Sequence, residues 1–420
     1  MADETARQPD DPTRSGGRLV DRLHLASETE TPRVETRFAG PLGRFRDSCR
    51  IRLQTFRRQH RQVVVRYDRF SIFQFRLRTL LLAILAASVF LGIYVGRVRP
   101  RQAAVRTLQA AGYTVLYHYE FPGYGSDPAG PNWLGREWMN GVAMVGLHGA
   151  SRRPPLTDKQ AESLRHLPTL QALVLGRSAI SDRTLGVISG LQRLQVLGVK
   201  HSRITDDGLS GLQHLTQLKS LDLTGTRVTD AGMKHVGKLT TLTRLVLDET
   251  QVSDSGLRHL QGLTRLRELY LNGTRVGDAG AGRLERLTTL EALDLSRTQI
   301  SDEGLRRLHA LKRLDELWLD ETDVGDVGVR YLKTVTTLKW LGLTHTRISD
   351  DGLRHLQGLK QLESLGLAHT QITDKGIVHL RGLDDLVDLS LNGCPKVSSG
   401  AARKLAERLP ECEILHPGIP

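Results

Sequence analysis

Leucine recurs every 24 residues through the second half of the chain, and this period constrains the fold more than any other feature. A second apolar column follows two residues later and is leucine in every copy except Val199. A 24-residue unit is too small to bury its own apolar face, so the copies must stack and share one continuous core. The leucines of the first column are Leu173, Leu197, Leu221, Leu245, Leu269, Leu293, Leu317, Leu341, Leu365 and Leu389.

Each copy predicts a strand followed by a short helix. Leu293 and Leu295 are two residues apart, so both point to the core side of a strand, while Asp294 points to the other side. The second half of the copy predicts a helix with a buried stripe, formed here by Leu305, Leu308 and Leu311. The pattern therefore predicts an α/β solenoid of parallel strands and short helices.

The turn between strand and helix carries a column of hydroxyl residues, of which Thr298 is typical. Stacked hydroxyls can satisfy backbone groups that the turn would otherwise bury unpaired. Ser301 or Asp302 is expected to cap the helix that follows.

The repeated unit, L-x-x-L-x-L-x-x-T-x-[IV]-[STG]-D-x-G-L, resembles leucine-rich repeat proteins over about residues 142–415. Copies such as 293–305 are similar to the type found behind F-box domains, and to bacterial proteins that place such an array behind one N-terminal membrane anchor. The resemblance implies a right-handed solenoid with its parallel strands on the concave side. The turn column is mostly Thr rather than Asn or Cys, and no F-box motif precedes the repeats, so a ubiquitin-ligase role is not implied.

The ends of the array depart from the repeat, as a solenoid with capped ends requires. We expect an N-terminal cap over residues 101–141, repeats over 142–393 and a C-terminal cap over 394–420 that includes a helix near 401–409. Cys394 and Cys412 would both lie in the C-terminal cap. The two cysteines could form a disulfide in an oxidising compartment, and they could equally be two small buried residues.

The longest apolar run, residues 79–96, has no charged residue and is flanked by arginines on both sides. As a helix it would span about 27 Å, enough for a hydrocarbon core. It predicts one transmembrane signal-anchor helix behind a disordered, arginine-rich segment, residues 1–78. Because that segment holds 17 Arg and 10 Asp+Glu, the positive-inside rule places the N-terminus in the cytoplasm and the repeats outside it.

Exposed residues on the concave side are the candidate binding site. If the register is right, acidic and aromatic side chains line the middle repeats and suit a protein or peptide partner, in particular a basic one. The alternative is that the tryptophans only fill space between neighbouring strands. The residues proposed to contact a partner are Asp222, Asp248, Tyr270, Asp294, Trp318, Asp320 and Trp340.

Catalytic and metal-binding motifs do not occur in the sequence. It contains no phosphate-binding loop, no nucleophile elbow and no zinc-protease motif, so we expect no enzyme, no cofactor and no metal. The histidines at multiples of 24 residues form a surface column rather than converging on one point, although His345 and His369 are adjacent.

Two other classes of function stay open. The array could be a structural spacer or envelope scaffold without a specific ligand. Alternatively, the arginine-rich segment could bind anionic lipid or nucleic acid. The net charge of +13 lies mostly in that segment, so charge alone does not indicate nucleic-acid binding by the repeats.

Overall fold

In the computed structural model, residues 69–117, 142–147 and 155–417 are described. The chain divides into two units, residues 1–82 and 83–420. The described residues of the first unit, 69–82, are helical. Of the segment 1–78 that was predicted to be disordered, residues 1–68 lie outside the described residues, whereas 69–78 are helical, contrary to the prediction. The part of the predicted N-terminal cap over 118–141 also lies outside the described residues.

The described residues of the second unit form one sheet of thirteen strands in chain order. β1 pairs antiparallel with β2, and every later pair is parallel. Leu293 pairs with Leu269 on one side and Leu317 on the other, so the predicted register is confirmed. The strands are β1 Tyr113–Tyr117, β2 Val142–Leu147, β3 Ala172–Val174, β4 Val196–Gly198, β5 Ser220–Asp222, β6 Arg244–Val246, β7 Glu268–Tyr270, β8 Ala292–Asp294, β9 Glu316–Trp318, β10 Trp340–Gly342, β11 Ser364–Gly366, β12 Asp388–Ser390 and β13 Glu413–Leu415.

Helices α1 Arg69–Ile93 and α2 Arg99–Ala110 precede the repeats and are joined by a π-helical turn, Tyr94–Val98. A short helix follows almost every strand of the array, and several continue into a 3₁₀ turn. They are α3 Asp158–Ala161, α4 Asp182–Ile188, α5 Asp206–Leu209, α6 Met233–Val236, α7 Asp254–Leu257, α8 Asp278–Leu284, α9 Asp302–Leu308, α10 Asp326–Val329, α11 Asp350–Leu356, α12 Asp374–Ile377 and α13 Ser399–Arg408.

The core is the shared leucine stack that the period predicts. Leu293, Leu295, Leu305 and Leu311 are fully buried, and Leu308 is 1% exposed. One apolar cluster runs from Ala104 in α2 to Ile414 in β13, so no copy has a core of its own.

The hydroxyl column satisfies backbone groups, as predicted. The Thr298 hydroxyl is buried and donates to the Leu295 carbonyl at 2.5 Å. The same contact, at 2.5–2.7 Å, is made by Ser178, Ser202, Thr226, Thr250, Thr274, Thr322, Thr346 and Thr370.

Of the two residues expected to cap the helix after β8, Ser301 does so and Asp302 does not. Ser301 caps α9 through the Glu303 amide, whereas Asp302 accepts from the Gly325 amide of the next copy at 2.7 Å. The preceding aspartate, Asp278, accepts in the same way from the Ser301 amide at 2.8 Å and hydroxyl at 2.6 Å. These aspartates therefore bind consecutive copies to each other. We call them the clamp aspartates, and they are Asp158, Asp182, Asp206, Asp230, Asp254, Asp278, Asp302, Asp326, Asp350 and Asp374.

Both ends of the array are covered. At the N-terminal end, β1 covers the edge of β2, and Ala104, Val105 and Leu108 of α2 join the core. At the C-terminal end, α13 lies close to the helix expected there, and β13 pairs with β12. Cys394 and Cys412 are buried and not bonded to each other; the Cys394 thiol contacts the Leu367 carbonyl at 3.1 Å and so continues the hydroxyl column.

The apolar run lies in a helix that exposes its side chains. From Leu80 to Val95 the large apolar residues are 38–66% exposed. Among the described residues, one helix is long and apolar enough to cross a membrane, and it is the helix that contains this run. The Ser88 hydroxyl donates to the Ile84 carbonyl at 2.8 Å, so it is paired within the helix.

Candidate functional site

The sheet has one face that the helices leave uncovered, which we call the open face. It is formed by the first and third residues of strands β3–β12 and by the residue two positions after each strand, while the central leucines point into the core. It corresponds to the concave face predicted from the repeat. All seven candidate residues belong to it.

Four of the candidates share one row across the strands. Asp222, Tyr270, Asp294 and Trp318 are the third residues of β5, β7, β8 and β9, and Tyr270, Asp294 and Trp318 are direct neighbours. Trp340 opens β10 and lies in a different row, beside Glu316. Asp248 and Asp320 follow their strands by two residues, at the edge of the open face.

Tyr270 and Trp318 close over the strand between them. Their ring centroids are 6.1 Å apart, although strands two apart are separated by about 9.6 Å. The two rings therefore lean towards each other across β8, whose residue in this row is Asp294. The space-filling role considered for the tryptophans applies to Trp318 in part, because this residue is only partly buried.

Asp294 is consequently shielded from water. Burial raises the pKa of its carboxyl, although hydrogen bonds from Ser296 and the Asn272 side chain act in the opposite direction. The Ser296 amide donates to it at 2.8 Å. A carboxylate with its solvation reduced in this way favours the approach of an opposite charge.

Asp248 and Asp320 are held in similar surroundings. Burial, together with the nearby Asp294, raises the pKa of Asp248 to about 7, even though the Asn272 amide donates to it at 2.9 Å. Burial also raises the pKa of Asp320, which accepts from the Thr344 amide at 2.7 Å. Asp222 accepts from the Thr224 hydroxyl at 2.6 Å. At Asp248, Asp294 and Asp320, the loss of hydration on burial therefore outweighs the hydrogen bonds that would stabilise the charged form.

Arg244 is part of this site and was not among the predicted residues. Its guanidinium lies 4.5 Å from the Tyr270 ring centroid, donates to the Tyr270 hydroxyl at 3.1 Å and forms an ion pair with Glu268. Burial raises the pKa of Tyr270 to about 12. The signal was present in the sequence, because Arg244 and Glu268 occupy the same position in successive copies and must be neighbours on adjacent strands.

The histidine pair also lies beside the open face. His345 and His369 follow their strands in the left-handed conformation, with φ of 55° and 56°, and their rings stack with centroids 4.1 Å apart. Across the described ranges, no group of three or more His, Cys, Asp or Glu side chains is placed to hold a metal ion. The site can offer charge, aromatic surface and hydrogen bonds.

Sequence models described as leucine-rich repeat match residues 216–276 and 286–308. The chain therefore contains leucine-rich repeats. No curated protein matches the chain significantly.

Several solved structures resemble the chain at low sequence identity. An internalin, InlF, from Listeria monocytogenes is 22% identical, with a TM-score of 0.43, covering 63% of this chain and 90% of the internalin. A TDR receptor is 18% identical, with a TM-score of 0.45, covering 61% of this chain and 44% of the receptor. Internalin C2 from the same bacterium is 19% identical, with a TM-score of 0.35, covering 62% of this chain and 84% of the internalin.

Proposed function

We propose that this chain is a single-pass membrane protein whose leucine-rich repeats bind a basic protein or peptide segment through the open face, without catalysing a reaction. Stacked repeats of this kind commonly mediate protein–protein interactions, since they present an extended and rigid surface. The membrane anchoring and the mode of binding are the proposed parts.

The observation that carries the proposal is the set of carboxyls Asp248, Asp294 and Asp320 held in poor contact with water around Tyr270 and Trp318. A bound Lys or Arg would neutralise these carboxyls, and the aromatic faces would attract the same cation. Arg244, the base in this region, is already bound to Glu268 and Tyr270. A basic ligand would therefore meet acids that the protein itself leaves uncompensated.

The test is binding of the full chain, solubilised in detergent, to immobilised peptides that are rich in Lys and Arg. The triple variant Asp248→Asn, Asp294→Asn, Asp320→Asn should lose at least about tenfold in affinity, since each lost charge pair contributes on the order of 0.5–1 kcal/mol. A matched control, Asp207→Asn, Asp385→Asn, Glu407→Gln, makes the same change in net charge at exposed sites away from the open face.

Equal loss in both triple variants would show that net charge, not the open face, determines binding. Capture by neither the parent nor the variants, with the chain folded, would favour the scaffold function instead. Binding that follows residues 1–78 when they are expressed alone, and that weakens steeply with salt, would move the function to the arginine-rich segment.

The apolar helix supports the anchoring, and the arginine excess before it supports a cytoplasmic N-terminus with the repeats outside. Cys49 precedes the helix, while Cys394 and Cys412 are buried in the repeats, so native thiol labelling reports on Cys49 alone. A membrane-impermeant maleimide should leave intact cells unlabelled and label opened cells. Labelling of intact cells would reverse the topology.

A further inference from the structure

The membrane helix runs into the repeats without a linker. Within the second unit the backbone is helical from Ala83 to Ala110, through the end of α1, the π-helical turn and α2. The Arg99 amide donates to the Tyr94 carbonyl, so the turn continues the hydrogen bonding of the helix. A chain without a break at this point transmits orientation from one end to the other.

The change from exposed to buried side chains along this helix is abrupt. Val95 is 50% exposed, whereas Val98 is 2% exposed, and Ala104, Val105 and Leu108 lie in the core of the repeats. Val98 comes two residues after Gly96, where the charge-free run ends. At the rise of a helix this is about 3 Å along the axis.

This distance is shorter than the headgroup layer, which is about 5–7 Å thick on each side of the hydrocarbon core. If residues 79–96 span the hydrocarbon, other parts of the chain already cover the helix at Val98, inside the headgroup layer, and the core of the repeats begins at Ala104, about 12 Å beyond Gly96. The covered part of the helix would then touch the headgroups, and the first part of the array would lie close above them.

Three arginines near this level are exposed: Arg97, Arg99 and Arg106. Arg97 and Arg99 lie about 1.5 and 4.5 Å beyond Gly96, inside the headgroup layer, and Arg106 lies about 15 Å beyond it, where a helical side chain leans back towards the N-terminus and so towards the bilayer. Arg99 and Arg106 are seven residues apart, two turns of helix, and so lie on the same side. Within the described ranges, none of the three forms an ion pair with a carboxylate. Their guanidinium groups are suited to bidentate contact with phosphate.

We propose that the N-terminal end of the repeat array rests on the membrane surface, with Arg97, Arg99 and Arg106 bound to anionic lipid headgroups, so that the open face is held at a fixed orientation to the bilayer. This inference rests on the proposed membrane anchoring. It adds a second binding surface to the chain, with a lipid surface as its partner.

The first test uses the full chain in lipid vesicles, with Cys49→Ser and a fluorophore on Arg193→Cys, an exposed site in the array. A hinge variant carries a Gly-Ser linker between Gly96 and Arg97, which behaves as a flexible coil and should lower the residual fluorescence anisotropy at least about twofold. Equal anisotropy in the parent and the hinge variant would show that the array is already mobile on its anchor, and would overturn the fixed orientation.

The second test compares phosphatidylcholine vesicles with and without phosphatidylglycerol. The parent should show higher energy transfer to a headgroup-labelled lipid on the anionic vesicles. Arg97→Gln, Arg99→Gln, Arg106→Gln should abolish that difference, and the charge-matched control Arg203→Gln, Arg227→Gln, Arg275→Gln should keep it. No difference in the parent, or equal loss in both variants, would overturn the role of the three arginines.

Extraction with alkaline carbonate separates the two proposals. A chain that alkaline carbonate releases from the vesicles is not inserted, which would refute the anchoring and the surface contact together. A chain that resists extraction but moves freely in the anisotropy measurement would refute the surface contact alone.

Discussion

The clamp between consecutive copies makes a sharp prediction about a glycine. Gly304 is the third residue of α9, and its amide donates to Asp278 of the preceding copy at 3.0 Å. An amide at this helix position has no partner within the helix, so Asp278 caps α9 from the neighbouring copy. A Cβ on Gly304 would lie 2.6 Å from the Asp278 carboxylate oxygen and 3.1 Å from Ile300. The close contact with Asp278, and not a turn, therefore accounts for Gly304; in the first copy Thr184 stands at the equivalent position and its hydroxyl donates to the clamp aspartate Asp158.

The magnitudes follow from these contacts. Asp278→Ala removes the acceptor of the Ser301 amide, the Ser301 hydroxyl and the Gly304 amide, and should cost about 2–3 kcal/mol of unfolding free energy, in the range for lost caps and charged hydrogen bonds. Gly304→Ala should cost about 1–3 kcal/mol, because the clash outweighs the roughly 0.5–1 kcal/mol by which alanine favours a helix over glycine.

The double variant Asp278→Ala, Gly304→Ala tests whether the contact with Asp278 accounts for the glycine. Once Asp278 is alanine, the carboxylate that would meet the new Cβ is gone, so Gly304→Ala should then change the free energy of unfolding by less than about 1 kcal/mol. The two substitutions should therefore be non-additive by about 1–2 kcal/mol. The assay is urea unfolding followed by circular dichroism, with Asp207→Ala, an exposed aspartate in an equivalent helix, as control. Additive costs would refute the argument that the clamp explains the glycine.

Three further predictions concern the column and the open face. Thr298→Val keeps the shape of the side chain but leaves the buried Leu295 carbonyl without its donor, so it should cost about 1–3 kcal/mol in urea unfolding, while Thr298→Ser should cost less. The pKa of Asp248 is raised to about 7 in the folded state and is near 4 in the unfolded state, so ionisation of this carboxyl opposes folding. The free energy of unfolding should therefore fall as pH rises from about 4 to 7. Asp248→Asn should flatten that part of the profile of melting temperature against pH. Leu293→Ala should lower the free energy of unfolding by about 2–5 kcal/mol, and Trp318→Ala should lower it by under about 1 kcal/mol. If thermal unfolding shows a larger loss of stability for Trp318→Ala than for Leu293→Ala, the assignment of Trp318 to the open face is wrong.

The strand register and core were predictable because they depend on one period that the sequence states directly. Leu293 and Leu317 stand in the same column, and they pair in the sheet. The clamp was missed although its residues are equally periodic. An aspartate at the start of a helix has a sufficient local explanation as a cap, and the true partner of Asp302 lies 23 residues further on. The glycine three residues after Ser301, which recurs at 24-residue spacing from Gly208 to Gly376, was the available signal.

The arrangement of the open face could be predicted only in outline. The alternation of residues in a strand assigns Tyr270, Asp294 and Trp318 to one side of the sheet, but it says nothing about how the rings lean. That depends on what lies next to them. Trp318 has Asp294 on one side and Gly342, which has no side chain, on the other. The shielding of Asp294 arises from these neighbours, which differ from copy to copy.

The clamp aspartate Asp158 differs from the open-face aspartates Asp248 and Asp294 in the direction in which its pKa is shifted, and the contrast separates stability from function. Burial raises the pKa of the clamp carboxyl Asp158, but hydrogen bonds from Thr184 and Ser181 outweigh it, and the net pKa is lowered. Its charge therefore stabilises the fold above the unfolded pKa. For Asp248 and Asp294 burial prevails and the pKa is raised, so their charge opposes folding at neutral pH. Residues that reduce stability where an apolar or amide side chain would fit are expected at functional sites. That is the physical reason to seek the partner at Asp248 and Asp294 and not along the more regular row of clamps.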